Sequence, residues 1–289
     1  MTDKGLEAWP LDGPLIVIPA QRTRRRAAMA VVTLIGLGLL YAIASNPRFD
    51  WPTVAQYLFN GVILLGLLNT VWLTVVTMVL GVALGLALAA LRLSDTAALS
   101  APATLFVWFF RGTPVLVQLI FWYNLAELYP TYSFGVPLIA PGLIKGSVND
   151  LITPFTAAIL GLALNEGAYM AEIVRAGILS VDSGQMDAGR ALGMSRAKVM
   201  RRIILPQALR FIVPPTGNEA IGMLKTTAIV SVIALSDLLY SAQTIYARTF
   251  QTIPLLLVAS LWYLALTSLL SLGQWRLERR LGRSQRGAK

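Results

Sequence analysis

From Gly61 to Leu91 the chain reads GVILLGLLNTVWLTVVTMVLGVALGLALAAL, without a charged side chain. A helix crosses the hydrocarbon core with about 20 apolar residues, and inside lipid every backbone N–H and C=O must be paired within the protein. Such a run has one stable form, a membrane-spanning helix. Its excess length requires tilt, a bend or an extension beyond the bilayer. Further apolar runs lie at 27–45, 113–129, 154–174, 209–236 and 253–274, in a chain that is 56% hydrophobic and 13% charged. The pattern predicts an all-α fold, a polytopic membrane helical bundle of about six transmembrane helices.

The 24 Lys and Arg residues outnumber the 14 Asp and Glu, and in a membrane protein it is their location that informs. Arg22, Arg24, Arg25 and Arg26 precede the first run. Arg92, Arg111, Arg175, Arg190, Arg196, Lys198, Arg201, Arg202 and Arg210 fall in alternate connections, and Arg276, Arg279, Arg280, Arg283 and Arg286 follow the last run. All of these are cytoplasmic if both termini are. Arg48, Lys145 and Arg248 then lie outside, and Lys225 lies within the fifth run. The expected topology is N-in/C-in. No small-residue cleavage site follows the first run, so 27–45 reads as a retained signal anchor.

Four regions follow: a cytoplasmic arm at 1–26, a first span and its external connection at 27–56, a transmembrane domain at 57–275, and a basic cytoplasmic tail at 276–289. The surplus charge is no argument for nucleic acid; it suits anionic membrane lipid. Neither Cys nor His occurs. Their absence removes disulfides, thiolate nucleophiles, histidine acid–base chemistry and the usual zinc sites, and no metal site or cofactor is expected. The connection at 130–153, rich in Pro, Gly and aromatics, reads either as a folded cap or re-entrant piece or as a plain loop.

Two features of the long run bear on packing. Gly81 and Gly85 have the small-xxx-small spacing that lets a second helix approach closely. Thr70, Thr74 and Thr77 share a face beside Asn69, where they either bond to neighbouring helices or line a polar path.

Among these apolar runs lies SGQMDAGRALGMSRAKVMRRIILPQA, Ser183 to Ala208. Asp182 as N-cap with Gln185 three residues on has capping-box spacing, and Gly193 suits the left-handed position that stops a helix. Ser195 caps a second helix, with Met194 and Val199 placed as a hydrophobic staple. Pro206 is expected to bend or stop that second helix. The element at 182–206 is thus helix, sharp turn, helix, on the cytoplasmic side. Its first helix carries the small residues Ala188, Gly189 and Ala191 beside Asp187 and Arg190. Such a face can dock in a groove of another protein.

GQMDAGRALGMS followed by IILPQA resembles the EAA loop of the transmembrane subunits of bacterial ABC importers, specifically the polar amino acid permeases of the histidine and glutamine transporter type. FRGTPVLVQL (Phe110–Leu119), GAYMAEIVRAGI (Gly167–Ile178), PQALRFIVPPTGNE (Pro206–Glu219) and LKTTAIVSVIALSDLL (Leu224–Leu239) match in the same order. The likeness runs from roughly 57 to 275. The usual Glu-Ala-Ala is Asp187-Ala188-Gly189 here, and Thr226 stands where the family has an acid after Lys225.

The resemblance implies a type I ABC importer transmembrane domain in the bacterial inner membrane. Gln185, Asp187, Ala188, Gly189, Ala191, Leu192 and Gly193 would form a coupling helix inserted into a cytoplasmic ABC ATPase dimer. A second permease subunit, the same or similar, and an extracytoplasmic substrate-binding protein are the other implied partners. The chain is not itself expected to be an enzyme, and no GxxxxGK[ST] phosphate loop occurs in it. It would turn ATPase closure into alternating access.

Polar groups at membrane depth are costly and mark function or pairing. Asn165, Glu166, Tyr169, Asn218, Glu219 and Lys225 are therefore the candidate substrate-binding residues. Glu219 and Lys225 can equally form a structural pair, and Glu172 and Arg175 read as structural or gating. Arg111, Thr113 and Pro114 read as the start of the third span, with Thr113 as N-cap, Pro114 at the first helical position and Arg111 at headgroup level. Pro214 and Pro215 can break the fifth helix and free backbone groups for a ligand. The expected function is import of polar amino acids by an ATP-driven permease. The alternatives are an ABC permease for another small polar solute, a secondary transporter or channel, and a membrane-embedded enzyme, which the scattered carboxylates disfavour.

Overall fold

The computed structural model describes residues 22–136 and 140–286. Most of the expected N-terminal arm, up to residue 21, and the last residues of the basic tail, 287–289, lie outside the described residues. The chain divides into two units at Asp50–Trp51. In the first, α1 (Arg22–Ser45) is an apolar helix with Val32, Leu34 and Leu40 exposed along it, as a lipid-facing span requires. A short 3₁₀ turn, Pro47–Phe49, follows, begun by the Asn46 side chain, which accepts from the Arg48 N–H at 3.0 Å.

The second unit contains α2 (Trp51–Leu58), α3 (Gly61–Arg92), α4 (Ala97–Gly112), α5 (Val115–Tyr123) and α6 (Leu125–Leu128). The hairpin β1 (Thr131–Val136) and β2 (Ala140–Ser147) and the short α7 (Val148–Leu151) lead to α8 (Pro154–Leu179). Then come α9 (Gly184–Ala191), α10 (Arg196–Val199), α11 (Leu205–Thr226), α12 (Leu238–Thr249) and α13 (Thr252–Arg286). The strands are antiparallel and pair Thr131 with Ser147, so the 130–153 connection holds folded structure rather than being a plain loop. Among the described residues 4 helices are long and apolar enough to cross a membrane, or up to 6 if each bent pair is one span.

The helices gather around α3 and α8. Lipid tails are as apolar as leucine, so helices embedded in them associate through close packing and hydrogen bonds rather than through burial from water. Glycine makes that contact possible here. A Cβ at Gly81 would stand 2.8 Å from Glu166 Cβ, and one at Gly85 would stand 2.9 Å from the Ala171 backbone nitrogen. On the facing helix Gly167 makes room for Leu84. Apolar clusters flank the seam: Leu73, Leu119, Leu162 and Val230 in one, and Leu88, Val107, Phe110 and Ala168 in another.

The polar face of α3 splits its work. Asn69 Nδ2 donates to the Ser236 carbonyl at 2.8 Å, and Thr70 Oγ1 accepts from the Leu238 N–H at 3.0 Å, tying α3 to the start of α12. Thr74 and Thr77 instead bond back to the carbonyls of Thr70 and Leu73 in their own helix, each at 2.7 Å.

Three expectations change. The run at 113–129 is not one span: α4 precedes it, and α4 and α5 meet at 101°. Pro114 has no N–H to continue α4 and holds Thr113 extended, at φ −112° and ψ 143°. Pro206 does not stop the helix after Ser195. A π turn, Met200–Ile204, precedes it, and α10 runs through that turn into α11. The wider turn relieves the clash between a proline ring and the carbonyl four residues earlier. Nor do Pro214 and Pro215 break α11. Side chains bond to carbonyls around them, Gln274 Nε2 to Pro214 at 3.2 Å and Thr216 Oγ1 to Ile212 at 2.8 Å.

The seam predicts a graded response to added volume. Gly85→Val should destabilise the purified protein by about 1–3 kcal/mol or more through overpacking, measured by thermal unfolding in detergent. Gly222→Ala, at a position with open space around it, should be neutral or slightly stabilising.

Candidate functional site

The bend at Thr113–Pro114 leaves the last carbonyls of α4 without helical partners, a costly state away from water. Two amide side chains satisfy them. Gln118, buried on α5, donates through Nε2 to the Phe110 carbonyl at 3.0 Å and to the Thr113 carbonyl and hydroxyl at 3.1 and 2.7 Å. Asn165 of α8 donates to the same Phe110 carbonyl at 2.7 Å and to Gln118 Oε1 at 3.4 Å. Asn165 therefore holds the elbow.

Asn165 lies about 16 Å along α8 from Pro154, near the middle of that helix, and the elbow that carries Arg111 is bonded to it. Pro114 is the N-cap of α5, which starts at Val115, and Thr113 caps the end of α4.

Around Arg111 the structure assembles part of the predicted set. Its guanidinium lies over the Tyr169 ring, 5.2 Å from the centroid. One turn earlier on α8, Glu166 is wedged against Gly81; it is 3% exposed, and its Oε1 meets no hydrogen-bond partner. Half-buried Glu219, on α11, is in electrostatic reach of both Glu166 and Arg111. Tyr169 and Glu219 thus lie by Arg111, and Glu219 in turn lies within electrostatic reach of Glu166.

The other candidates do not join them. Asn218 Oδ1 accepts from Gln274 Nε2 of α13 at 2.9 Å. Lys225 lies six residues after Glu219, about 240° further round the helix, and lines a separate cavity of about 380 Å³ with Tyr263 and Thr267. Among the described residues no ion pair joins Lys225 to Glu219, so the proposed structural pair is not formed. The ion pairs lie at the helix ends. Glu172 takes both Arg92 and Arg175, bolting the end of α3 to α8. Arg196 reaches Asp95 in the α3–α4 connection at 2.7 Å, and its guanidinium holds that carboxyl below the usual range.

Asp237 was missed. It is buried where the chain bends by 45° into α12, its Oδ1 accepts from the Tyr240 N–H at 2.8 Å, and the Tyr263 hydroxyl donates to its Oδ2 at 3.2 Å. Its position directly before Leu238-Leu239 is an N-cap signal visible in the sequence.

The helix–turn–helix element forms with altered caps. Ser183, not Asp182, is at the N-cap of α9, and the Asp182–Gln185 capping box is absent; Asp182 Oδ1 accepts from the Gly184 N–H at 2.7 Å instead. Gly193 has φ +77°, and Ser195 Oγ accepts from the Lys198 N–H at 3.4 Å. Gly189 faces inward, where a Cβ would stand 2.6 Å from Val199 Cγ2. Gln185, Asp187, Ala188 and Ala191 are exposed, and Leu192 is 82% exposed.

The family described as binding-protein-dependent transport system inner membrane component matches residues 81–283. The chain is similar to the arginine transport system permease protein ArgU of Corynebacterium glutamicum, 43% identical over 267 residues that cover 92% of this chain and 83% of that one. It is also similar to the glutamine transport system permease protein GlnP of Escherichia coli, 34% identical over 235 residues, 81% of this chain and 98% of that one. Among solved structures, an amino acid ABC transporter with histidines is 35% identical at a TM-score of 0.67, with 78% of this chain and 97% of that one covered. The MetNI methionine ABC transporter in an inward facing conformation, 18% identical at a TM-score of 0.62 with 76% and 96% covered, shares the fold.

The elbow network carries its own test. Gln118→Leu should cost about 1–3 kcal/mol, because it orphans carbonyls away from water, and should lower the thermal unfolding temperature in detergent. Lys225→Met, at an exposed and unpaired position, should leave it unchanged.

Proposed function

The chain belongs to the family of binding-protein-dependent transport system inner membrane components, and on that premise we propose that it is the transmembrane permease subunit of an ABC importer for polar amino acids. Two of its similar proteins bear the names of arginine and glutamine permeases. A cytoplasmic ATPase pair drives it, a second permease subunit completes the pathway, and an extracytoplasmic binding protein delivers the substrate. The location is the inner membrane, which the family description names.

The observation that carries the substrate reading is Glu166, a buried carboxyl group with an unpartnered oxygen at membrane depth. A buried acceptor without a partner is costly, and an ammonium or guanidinium group brought in by the substrate would satisfy it. Glu219 adds a second carboxyl nearby. Together they favour cationic and zwitterionic amino acids over acidic ones. Asn165 and Asn218 act by holding α5 and α13, and Lys225 stands apart.

The coupling reading rests on exposure. Leu192 and the small residues of α9 are uncovered, while Gly189 packs on Val199 and makes the two helices one rigid piece. α10 continues through the π turn into α11, the helix that carries Glu219. A push on α9 therefore reaches the site without crossing a flexible linker.

Two outcomes are expected. Asp187→Arg should reduce recovery of the ATPase with the permease, and transport with it, while the unfolding temperature stays the same; an intact, active complex would overturn the coupling assignment. Glu166→Ala should lower uptake of cationic amino acids in proteoliposomes at least tenfold, by the loss of a buried charge-assisted contact worth about 1.5–3 kcal/mol. Retained uptake would remove Glu166 from the site.

A further inference from the structure

We infer that the cavity between the end of α3 and the start of α10 is a binding site for one inner-leaflet phospholipid, phosphatidylethanolamine, whose head group carries both charges and N–H donors. The inference goes beyond the transport reading. It needs only the topology in which the ends of α3 and α8 that carry Arg92 and Arg175 lie at the cytoplasmic face.

The cavity holds about 650 Å³, a size at which proteins bind small molecules. Leu86 of α3, Val174 and Ile178 of α8, and Met200 and Leu205 at the π turn line it with apolar surface. Its charged groups are Asp95 of the α3–α4 connection and Arg196 of α10, which bond to each other at 2.7 Å. Apolar walls with both charges gathered at one point are the complement of an amphiphile.

The flank of α3 shows where the apolar part of that amphiphile runs. Leu86 is 49% exposed, and Val75 and Val79, also exposed, lie on the same face of the helix. The stripe from Val75 to Leu86 is about 17 Å long, close to the depth of one leaflet, half of a ~30 Å core. An acyl chain laid along it enters the cavity at Leu86 and brings its head group to Asp95 and Arg196.

The ion pair selects the head group. The Asp95 and Arg196 side chains are 83% and 64% exposed, so they hold each other weakly. A head group with both signs can take the place of that pairing and leave neither charge without a partner. The Arg196 guanidinium donates to the phosphate, and a primary ammonium donates to the Asp95 carboxylate. Choline has the charge but no N–H, and an acidic head group sets Asp95 against an anion. A lipid seated here packs α10 and the π turn on one side against α3 and α8 on the other.

The test is native mass spectrometry on the full-length chain, purified from membranes with its bound subunits, delipidated, and offered phosphatidylethanolamine, phosphatidylcholine or phosphatidylglycerol with identical acyl chains. The native protein should retain phosphatidylethanolamine at least about tenfold better than the other two, the fold-change expected of one charge-assisted hydrogen bond. Asp95→Ala should abolish the preference over phosphatidylcholine. Arg196→Gln, which removes the phosphate donor, and Ala90→Trp, which fills the cavity from α3, should lower retention of both of these lipids.

Equal retention of the three lipids by the native protein overturns the inference even if the variants fail to fold. So does a preference that Asp95→Ala keeps, or retention that neither Arg196→Gln nor Ala90→Trp lowers. A photoreactive benzoylphenylalanine introduced at Ala90 identifies the occupant. On irradiation in phosphatidylethanolamine nanodiscs it should form a lipid adduct; an adduct with a second permease subunit or the ATPase instead shows that protein covers the cavity and overturns the lipid assignment.

Discussion

The close contact of α3 with α8 is the constraint on which the rest of this molecule depends. In lipid, two apolar helices gain little from touching unless their backbones come near enough for many dispersion contacts. Gly81, Gly85 and Gly167 supply that nearness. The same glycines fix what lies along the seam. Glu166 sits where Gly81 leaves room for it, so the seam that stabilises the bundle also buries an unpartnered carboxyl oxygen. Thr74 and Thr77 bond within their own helix, whereas Asn69 and Thr70, nearer the start of α3, reach across to Ser236 and Leu238.

A second constraint follows from the medium. A right-angled break in a membrane helix is tolerated only where protein groups replace the missing backbone bonds. At Pro114 that replacement is made by Gln118 and Asn165, and at the bend before α12 by Asp237, Thr70 and Asn69. Each break is a place where polar side chains are already invested, and the first of them carries Arg111 to the polar cluster. Glu172, held by Arg92 and Arg175, closes the other end of the seam and keeps α3 and α8 in register. From Arg196 to Ile233 the chain is helical throughout, in α, π and 3₁₀ turns, so an unbroken helical path runs from the turn after α9 to Glu219.

Much of this was legible in the sequence, and the legible part has a common cause. Apolar run length marks spans because backbone satisfaction in lipid is local to a helix, and Gly193 and Ser195 mark the turn because caps and left-handed residues act over a few positions. The small-residue spacing of Gly81 and Gly85 announced a partner helix, though not which one. Predictions failed where a local signal met a distant partner. Pro206, Pro214 and Pro215 read as bends or breaks, yet helix continues through all three, with a π turn just before Pro206. Asn165 and Asn218 read as ligands because they are polar within apolar runs; the sequence does not show that Asn165 also donates to Phe110 and that Asn218 accepts from Gln274.

The sequence by itself determined that this chain crosses a membrane on several helices, which charges lie at which ends, and that a capped helical pair interrupts the spans, since periodicity, length and capping are properties of neighbouring residues. Only the tertiary structure decided which polar groups meet. Arg111 and Tyr169 are far apart in the chain, and they meet where a hydrogen bond from Asn165 to the Phe110 carbonyl, spanning 55 positions, draws the elbow against α8. No local pattern encodes a contact of that range. It exists because an apolar surrounding makes an unpaired carbonyl too costly to leave.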